Sequence, residues 1–490
     1  MRFPDRRLKK KLISFREVVI FTTKSPIPPF SCNRFISSGG FMSDKKFWFG
    51  LLLIIFVIGS AFATEKQPLT VEDLFAMGRV SDPQISPDGK WIAYTITNYS
   101  METNGNNSDI WLVSEDGKAV KQLTTSPKGD SQPRWCPKDP AKMVFISSRN
   151  GTPQIFILSL AGGEPSQLTD ISTGASSPVW SPDGQYLAFV SEVYPDLPTD
   201  TENAARDQER EKSLVQARVI DGLLYRHWNA WRDNKRSHVF LVPASGGLAR
   251  DVTPGDWDTP PISLGGNLDF GFSPDSKEIA FVRNPDPMVA ISTNNDIFVV
   301  PVAGGEAKPI TTTRGNDNNP VYSPDGKFLA FRSMARPGFE ADQDELILLD
   351  RAKGTRTNLT EQFDRSVAEF VFAPDGKKIY FTAFDYGRTK IYCVPVTGGE
   401  IRLVYGDHDN GSLQISPDGK TLVFAQQRAN LPHEIFRIST SGKDLMQLTF
   451  TNQKRLNALA LQPVEDFNFT SFDGAPVHGL LVKPPFFDAA

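Results

Sequence analysis

Cysteine is scarce in this chain of 490 residues, with only Cys32, Cys136 and Cys393. No CxxC pair and no paired-histidine spacing accompanies them, so a disulfide framework and a structural zinc site are both excluded. Cys136 and Cys393 sit in or beside apolar runs, which predicts buried free thiols. Histidine is nearly as rare, at His227, His238, His408, His433 and His478. No serine stands in a G-x-S-x-G frame, and there is no H-E-x-x-H, P-loop or dinucleotide glycine fingerprint. A catalytic triad, a metal site and a cofactor site are therefore all missing from the reading. Clustered basic charge is missing too: residues 64–490 hold 42 Lys and Arg against 54 Asp and Glu, a net charge of about −12. Such an acidic body excludes a nucleic-acid backbone as partner.

Long apolar runs are also wanting. Phe47–Ile58 is too short to cross a bilayer, which takes roughly 20 residues. Lys45 and Lys46 precede it and Gly59-Ser60-Ala61-Phe62-Ala63 follows, the pattern of a signal peptide with an A-x-A cleavage site. The expectation is a signal peptide over 42–63, cut after Ala63, preceded by a spurious upstream extension over 1–41. Export to a periplasm or beyond follows, without a stable membrane anchor, and no cysteine after the apolar run offers a lipid attachment point.

What the chain has in abundance is one turn. Ser86-Pro87-Asp88-Gly89 recurs at Ser181, Ser323 and Ser416, with variants beginning at Cys136, Ser273 and Ala373. Each copy is followed by a short apolar strand such as Trp91-Ile92-Ala93-Tyr94 and a second such as Asp109-Ile110-Trp111-Leu112-Val113. A glycine turn and an element ending in Thr, such as Leu123-Thr124, complete the copy. Proline presets the turn, aspartate bonds nearby backbone and glycine accepts positive φ. Four short strands per copy of about 45 residues is the signature of a propeller blade. The predicted fold class is all-β: a seven-bladed β-propeller over 83–463, after a lead-in over 64–82.

The spacing between the third and fourth copies is doubled, which places an insertion at 191–237 inside the third blade. Asp200–Leu224 is rich in helix formers and reads as helical. Tyr225-Arg226-His227-Trp228-Asn229-Ala230-Trp231 then mixes aromatics with charge. A long insertion on one rim is a common place for substrate contacts, although a solvated helix pinned to the blade by its aromatics fits the same residues. Glu209 and Glu211 are candidates to hold a substrate α-ammonium; Arg218, Asp221, Tyr225 and Arg226 are candidates for a cavity-facing cluster.

The last segment, 464–490, lacks the repeat. Val464–Phe472 and Pro476–Pro485 read as a two-stranded hairpin about Asp473-Gly474, and a lone hairpin is marginal in water.

Taken together, Leu69-Thr70-Val71-Glu72-Asp73-Leu74, the Ser-Pro-Asp-Gly copies, the stretch from Arg218 to His238 and the stretch from Phe472 to Pro484 resemble the prolyl-oligopeptidase family. The likeness is strongest to its acylaminoacyl-peptidase and dipeptidyl-peptidase branch and covers about 65–488. It implies that the propeller roofs the active site of a secreted serine exopeptidase acting on short peptides. It further implies that the terminal hairpin opens an α/β-hydrolase domain, covalently linked in the full-length enzyme, which supplies Ser, His and Asp. On that reading the 490 residues alone do not hydrolyse peptides. The alternative is a TolB-like periplasmic propeller that docks partners without catalysis, which leaves the hairpin and the insertion unaccounted for.

Overall fold

The computed structural model describes residues 65–488 except Gln216, Asp221, Asp233 and Asn267. The expected leader, Cys32 and Asp221 thus lie outside the described residues. Within them the chain forms seven consecutive four-stranded antiparallel meanders. The first is Arg79–Ile85, Trp91–Ser100, Gly105–Ser114 and Val120–Gln122. The seventh is Asp409–Ile415, Thr421–Arg428, Leu431–Ser439 and Met446–Gln447. The sixth and seventh share one eight-stranded sheet through a single parallel bridge from Thr389 to Asp409. Cys136 and Cys393 are buried free thiols, as their apolar surroundings predicted.

The recurring turn has a common hydrogen-bond plan. Ser86 Oγ donates to Asp88 Oδ1 at 2.6 Å and accepts the Trp91 N–H, while the Lys90 N–H donates to the same carboxylate. The copies at Ser181, Ser273, Ser323 and Ser416 repeat the Ser–Asp bond at 2.6–2.8 Å. Gly89 takes φ +74°, and a methyl group on it would stand 3.6 Å from Pro417 of the seventh meander. In the same way Gly326 faces Pro274, Gly376 faces Pro324 and Gly419 faces Pro374. Four of the turns thus nest on the proline of a neighbour, so the repeat motif also serves as a contact between repeats.

The closing Leu-Thr motif has a different job. Thr124 Oγ1 accepts the N–H of Ile110, within the third strand, and the pattern occurs in six of the meanders with the Thr always 14 residues ahead. A short outer strand leaves that N–H without a ladder partner, and the threonine hydroxyl supplies one. On the inner side the leading strands lie against one another, several with a break in register. The N–H groups freed by those bulges are answered across the seam: Ser177 donates to Gln132 Oε1, Asn319 to Asp269 Oδ1 and Leu413 to Glu369 Oε1. Apolar clusters join neighbours, as where Val239 and Leu241 pack with Phe270, Phe281 and Phe298. One of them unites Val80, Tyr94 and Val113 of the first meander with Val423 and Ile435 of the seventh, closing the circuit.

Some of the bonds to the closing threonines involve buried acids. Asp296 is 6% exposed and accepts from Thr311 Oγ1 at 2.9 Å. Burial first, and Asp317 nearby, push its carboxyl up to about 6, against a modest lowering by Thr311. A carboxyl whose folded value lies above its unfolded one binds more protons in the fold, so stability declines as pH rises from about 4 to 6. The second meander carries neutral Gln154 at this place, accepting from Thr169 at 2.8 Å. Asp296→Asn should therefore be more stable than wild type at pH 7 by roughly 2 kcal/mol, with the gain vanishing at pH 4. Thermal melts of both proteins across that range check it; equal midpoints at pH 7 would refute it.

Candidate functional site

The insertion leaves the third meander between Tyr186–Val193 and Arg236–Pro243. It therefore spans 194–235, narrower than the 191–237 read from the sequence, because both strands run on in register to Val193 and Arg236. The expected helix Asp200–Leu224 is also shorter: it ends at Lys212. Beyond that point β-branched Val215, Val219 and Ile220 replace the helix formers and bury no common face; they are 73%, 94% and 50% exposed.

The helix is fixed at its start. Thr199 caps it in a reciprocal box with Glu202, and Ser172 Oγ donates to Asp200 Oδ1 at 2.6 Å. Asn203 is buried, accepting the Tyr194 N–H and donating to the Leu197 and Thr199 carbonyls. The Tyr194 hydroxyl and Lys235 Nζ both donate to Asp207, at 2.9 and 2.7 Å, while Arg206 makes a twofold bond to Asp196 that holds this carboxyl below the ordinary range. Arg206 and Lys235 also lie over the Tyr194 ring, at 4.8 and 5.1 Å. These contacts anchor both ends of the inserted segment to the ring.

Between helix and ring lies a polar cavity of about 730 Å³, lined among others by Glu192, Asp207, Arg210, Glu211, His227, Trp231, Lys235 and Asp258. Its far wall is a short hairpin, Arg226–His227 with Ala230–Trp231, which the sequence alone does not separate from its surroundings. Of the predicted residues, Glu211 lines the cavity and Glu209 does not. Tyr225 packs on Trp231 at 6.1 Å and Arg218 lies 4.6 Å over the same ring. Arg226 donates to the Trp228 carbonyl on the outer side of the hairpin. Arg218 and Tyr225 are thus brought together on Trp231, but neither they nor Arg226 line the cavity, so the expected cavity-facing cluster does not form around it. Glu192 is a lining residue that sequence reasoning missed. It stands near the end of its strand, beside the same space, and the carboxylates of Glu192 and Glu211 have no ion pair or hydrogen bond among the described residues. Its sequence signal was an acid closing an otherwise apolar strand where the insertion departs.

Two of the histidines, His238 and His478, are committed elsewhere. His238 spans Asp251 Oδ2 at 2.6 Å and the Gly255 carbonyl at 2.9 Å, and His478 Nε2 meets Asp466 at 2.8 Å. Among the described residues no serine hydroxyl bonds a histidine ring, and no group of His, Cys, Asp and Glu is placed to hold a metal ion. No described helix is long and apolar enough to cross a membrane.

The last strands, Val464–Thr470 and Pro476–Val482, pair only with each other. Phe467, Phe469, Phe472, Leu481 and Val482 are exposed. Yet the hairpin is pinned to the sixth meander: Arg388 makes a twofold bond to Asp466, Tyr386 packs edge-on to His478, and Leu480 closes over Gly387. Arg388 and then His478 hold the Asp466 carboxyl down at about 2.

A closed circuit of four-stranded meanders is the architecture of a β-propeller domain. The TolB β-propeller domain matches this chain over residues 67–213 and 271–460, and the chain belongs to that family. Dipeptidyl-peptidase 5 of Porphyromonas gingivalis is 29% identical over 455 residues, covering 88% of this chain and 64% of that protein. An uncharacterized peptidase of Bacillus subtilis is 27% identical over 440 residues, covering 86% of this chain and again 64% of the other. The chain thus spans just under two thirds of these curated relatives. Among solved structures, the acylaminoacyl peptidase of Pyrococcus horikoshii shares the fold with a TM-score of 0.65 at 18% identity, over 85% of this chain and 59% of its own. The β-propeller domain of the trilobed protease from Pyrococcus furiosus, described as having an open velcro topology, aligns at 0.52 and 15%, over 77% of this chain and 97% of its own. The resemblance to the prolyl-oligopeptidase family read from the sequence holds in these relatives.

Proposed function

We propose that this chain is the seven-bladed propeller portion of a secreted serine exopeptidase that trims oligopeptides, with a hydrolase domain seated on the rim that carries the insertion and the terminal hairpin. The hairpin carries the argument. It completes no meander, exposes aromatic side chains on a strand pair too small to stand alone, and is nevertheless clamped to the ring by Arg388 and Asp466. Such a segment fits the first element of a further domain better than a decoration of the propeller. The relatives named as peptidases support the same reading. Serine attack with a His base and an orienting Asp would belong to that further domain, so the 490 residues by themselves are expected to be inactive. Removal of the leader after Ala63 would deliver the enzyme to the periplasm or beyond.

The cavity favours dipeptide release over release of acylated amino acids. Two unclaimed carboxylates, Glu192 and Glu211, facing one polar space suit the α-ammonium of a free peptide N-terminus, which an acylated substrate lacks. His227 and Trp231 line the same space beside them and can meet the peptide itself. Calorimetric titration of the 490-residue chain with a free-amine peptide and its N-acetylated form tests this. The free amine should bind about tenfold more tightly, since each charge-assisted bond contributes on the order of 1.5 kcal/mol or more. Glu192→Gln combined with Glu211→Gln should erase the difference; equal binding by the wild type would remove the assignment. Reading the gene onward past the Ala490 codon tests the peptidase itself, with a G-x-S-x-G frame within roughly 200 codons expected and its absence decisive against.

A further inference from the structure

On the rim that bears the insertion, arginines repeatedly cover the aromatic rings of the meanders. Arg149 lies 4.9 Å over Phe156 and is held by Asp130 at 2.9 Å. Arg428 lies 5.4 Å over Phe436 and bonds Gln426 Oε1 twice, at 3.1 and 2.9 Å. The fourth meander departs from this. Arg283 is sandwiched between Trp257 at 4.0 Å and Phe298 at 4.1 Å, yet makes no ion pair and no hydrogen bond among the described residues, and its Nε is buried without a partner.

Asp269, just ahead of the leading strand of the fourth meander, takes the place that Gln132 has in the second, answering a bulge of the next meander. Its carboxylate accepts the N–H groups of Gly266 and Asn319. A half-buried guanidinium keeps its charge even though burial lowers its proton affinity, and without a counter-ion that charge is costly. With both faces covered by rings, donation is left to the in-plane N–H groups, the two-pronged edge that fits a carboxylate.

We propose that Arg283 binds a carboxylate of the peptide substrate, supplied either by the peptide's C-terminus or by an acidic side chain. This rests on the peptide-binding reading above and adds a second charged anchor, set in a different meander from the polar cavity.

The test uses the 490-residue chain and three neutral-bodied hexapeptides with free amines: a free acid, the same peptide as the amide, and an amide carrying one internal Glu. Titration calorimetry on wild type should show one of the two acidic peptides binding about tenfold more tightly than the plain amide. The free acid responding identifies the C-terminus, and the Glu peptide responding identifies a side chain. Arg283→Met keeps packing between the rings and should level the three affinities; Arg283→Gln replaces it should the first variant not fold. Three equal affinities in wild type, no binding of any peptide, or a preference that survives in both variants would overturn the proposal. An acid preference that persists in N-acetylated peptides, with no effect of acetylation, would instead strike out the α-ammonium reading and leave Arg283 standing.

Discussion

Gly315→Ala is expected to lower the melting midpoint by roughly 3–4 °C, from a loss of about 3 kcal/mol or more. Gly315 is buried just ahead of the strand Asn316–Tyr322. A methyl group there would lie 1.8 Å from the Met334 carbonyl oxygen, far inside contact distance. The obstacle is backbone, not the end of a flexible side chain, and that backbone is tied into the ladder through the Asn316–Met334 pair. Relief must therefore come from shifting two strands of the fifth meander against their neighbours. Gly271→Ala is the control. It sits in a strand of the fourth meander, where an added methyl group would meet nothing within 4 Å, and it should melt within a degree or two of wild type. Calorimetric or fluorescence melts of the three proteins decide the matter; a G315A midpoint matching the control would show that the meander edges are far looser than their packing indicates.

The parts of this molecule that were readable from sequence are those whose causes are local. The Ser-Pro-Asp-Gly turn announces itself because proline, aspartate and glycine each satisfy a need within four residues, and the structure uses all three as expected. The Leu-Thr motif was visible as the end of each copy, but its purpose was not, because the threonine serves a strand 14 residues earlier. The helix was overextended past Lys212, since propensity carries on until packing stops it and here packing stops at Asn203 and Asp207. Of the candidate acids, Glu211 reached the cavity and Glu209 did not, a distinction set by helix phase against a wall that the sequence does not reveal. Glu192 escaped notice because an acid at a strand end has no periodicity to betray it. Arg283 escaped for the opposite reason: arginines recur on this rim, and only the structure shows that this one lies between two rings with its Nε buried and unpartnered.

The closure of the ring had no local signal at all, and Asn452 is where it can be broken. No strand is shared between the two ends: the first sheet is built entirely from residues 79–122 and the seventh strand set from residues 409–447. The seam therefore has no ladder of its own. It is held by the apolar cluster around Val80 and Ile435, by the Gln67 backbone bonding to Ala458 and Ala460, by the Arg455–Asp73 pair and by Asn452. Asn452 is the buried member. Its Oδ1 accepts the Gly78 N–H and its Nδ2 donates to the Gly78 carbonyl, both at 2.9 Å. Asn452→Ala strands both backbone groups in a buried place, at a cost of roughly 2–4 kcal/mol. Asn452→Asp should be no milder, because a carboxylate can satisfy the N–H but sets a second oxygen against the Gly78 carbonyl. The loss should also be local, as in repeat proteins whose units touch only their neighbours. Amide hydrogen exchange should rise most in the first and seventh meanders and least in the fourth, opposite the seam. Protection that falls evenly around the circuit would mean that closure is carried by the apolar cluster alone, and an Asn452→Asp protein as stable as wild type would remove the two-bond clasp from the account.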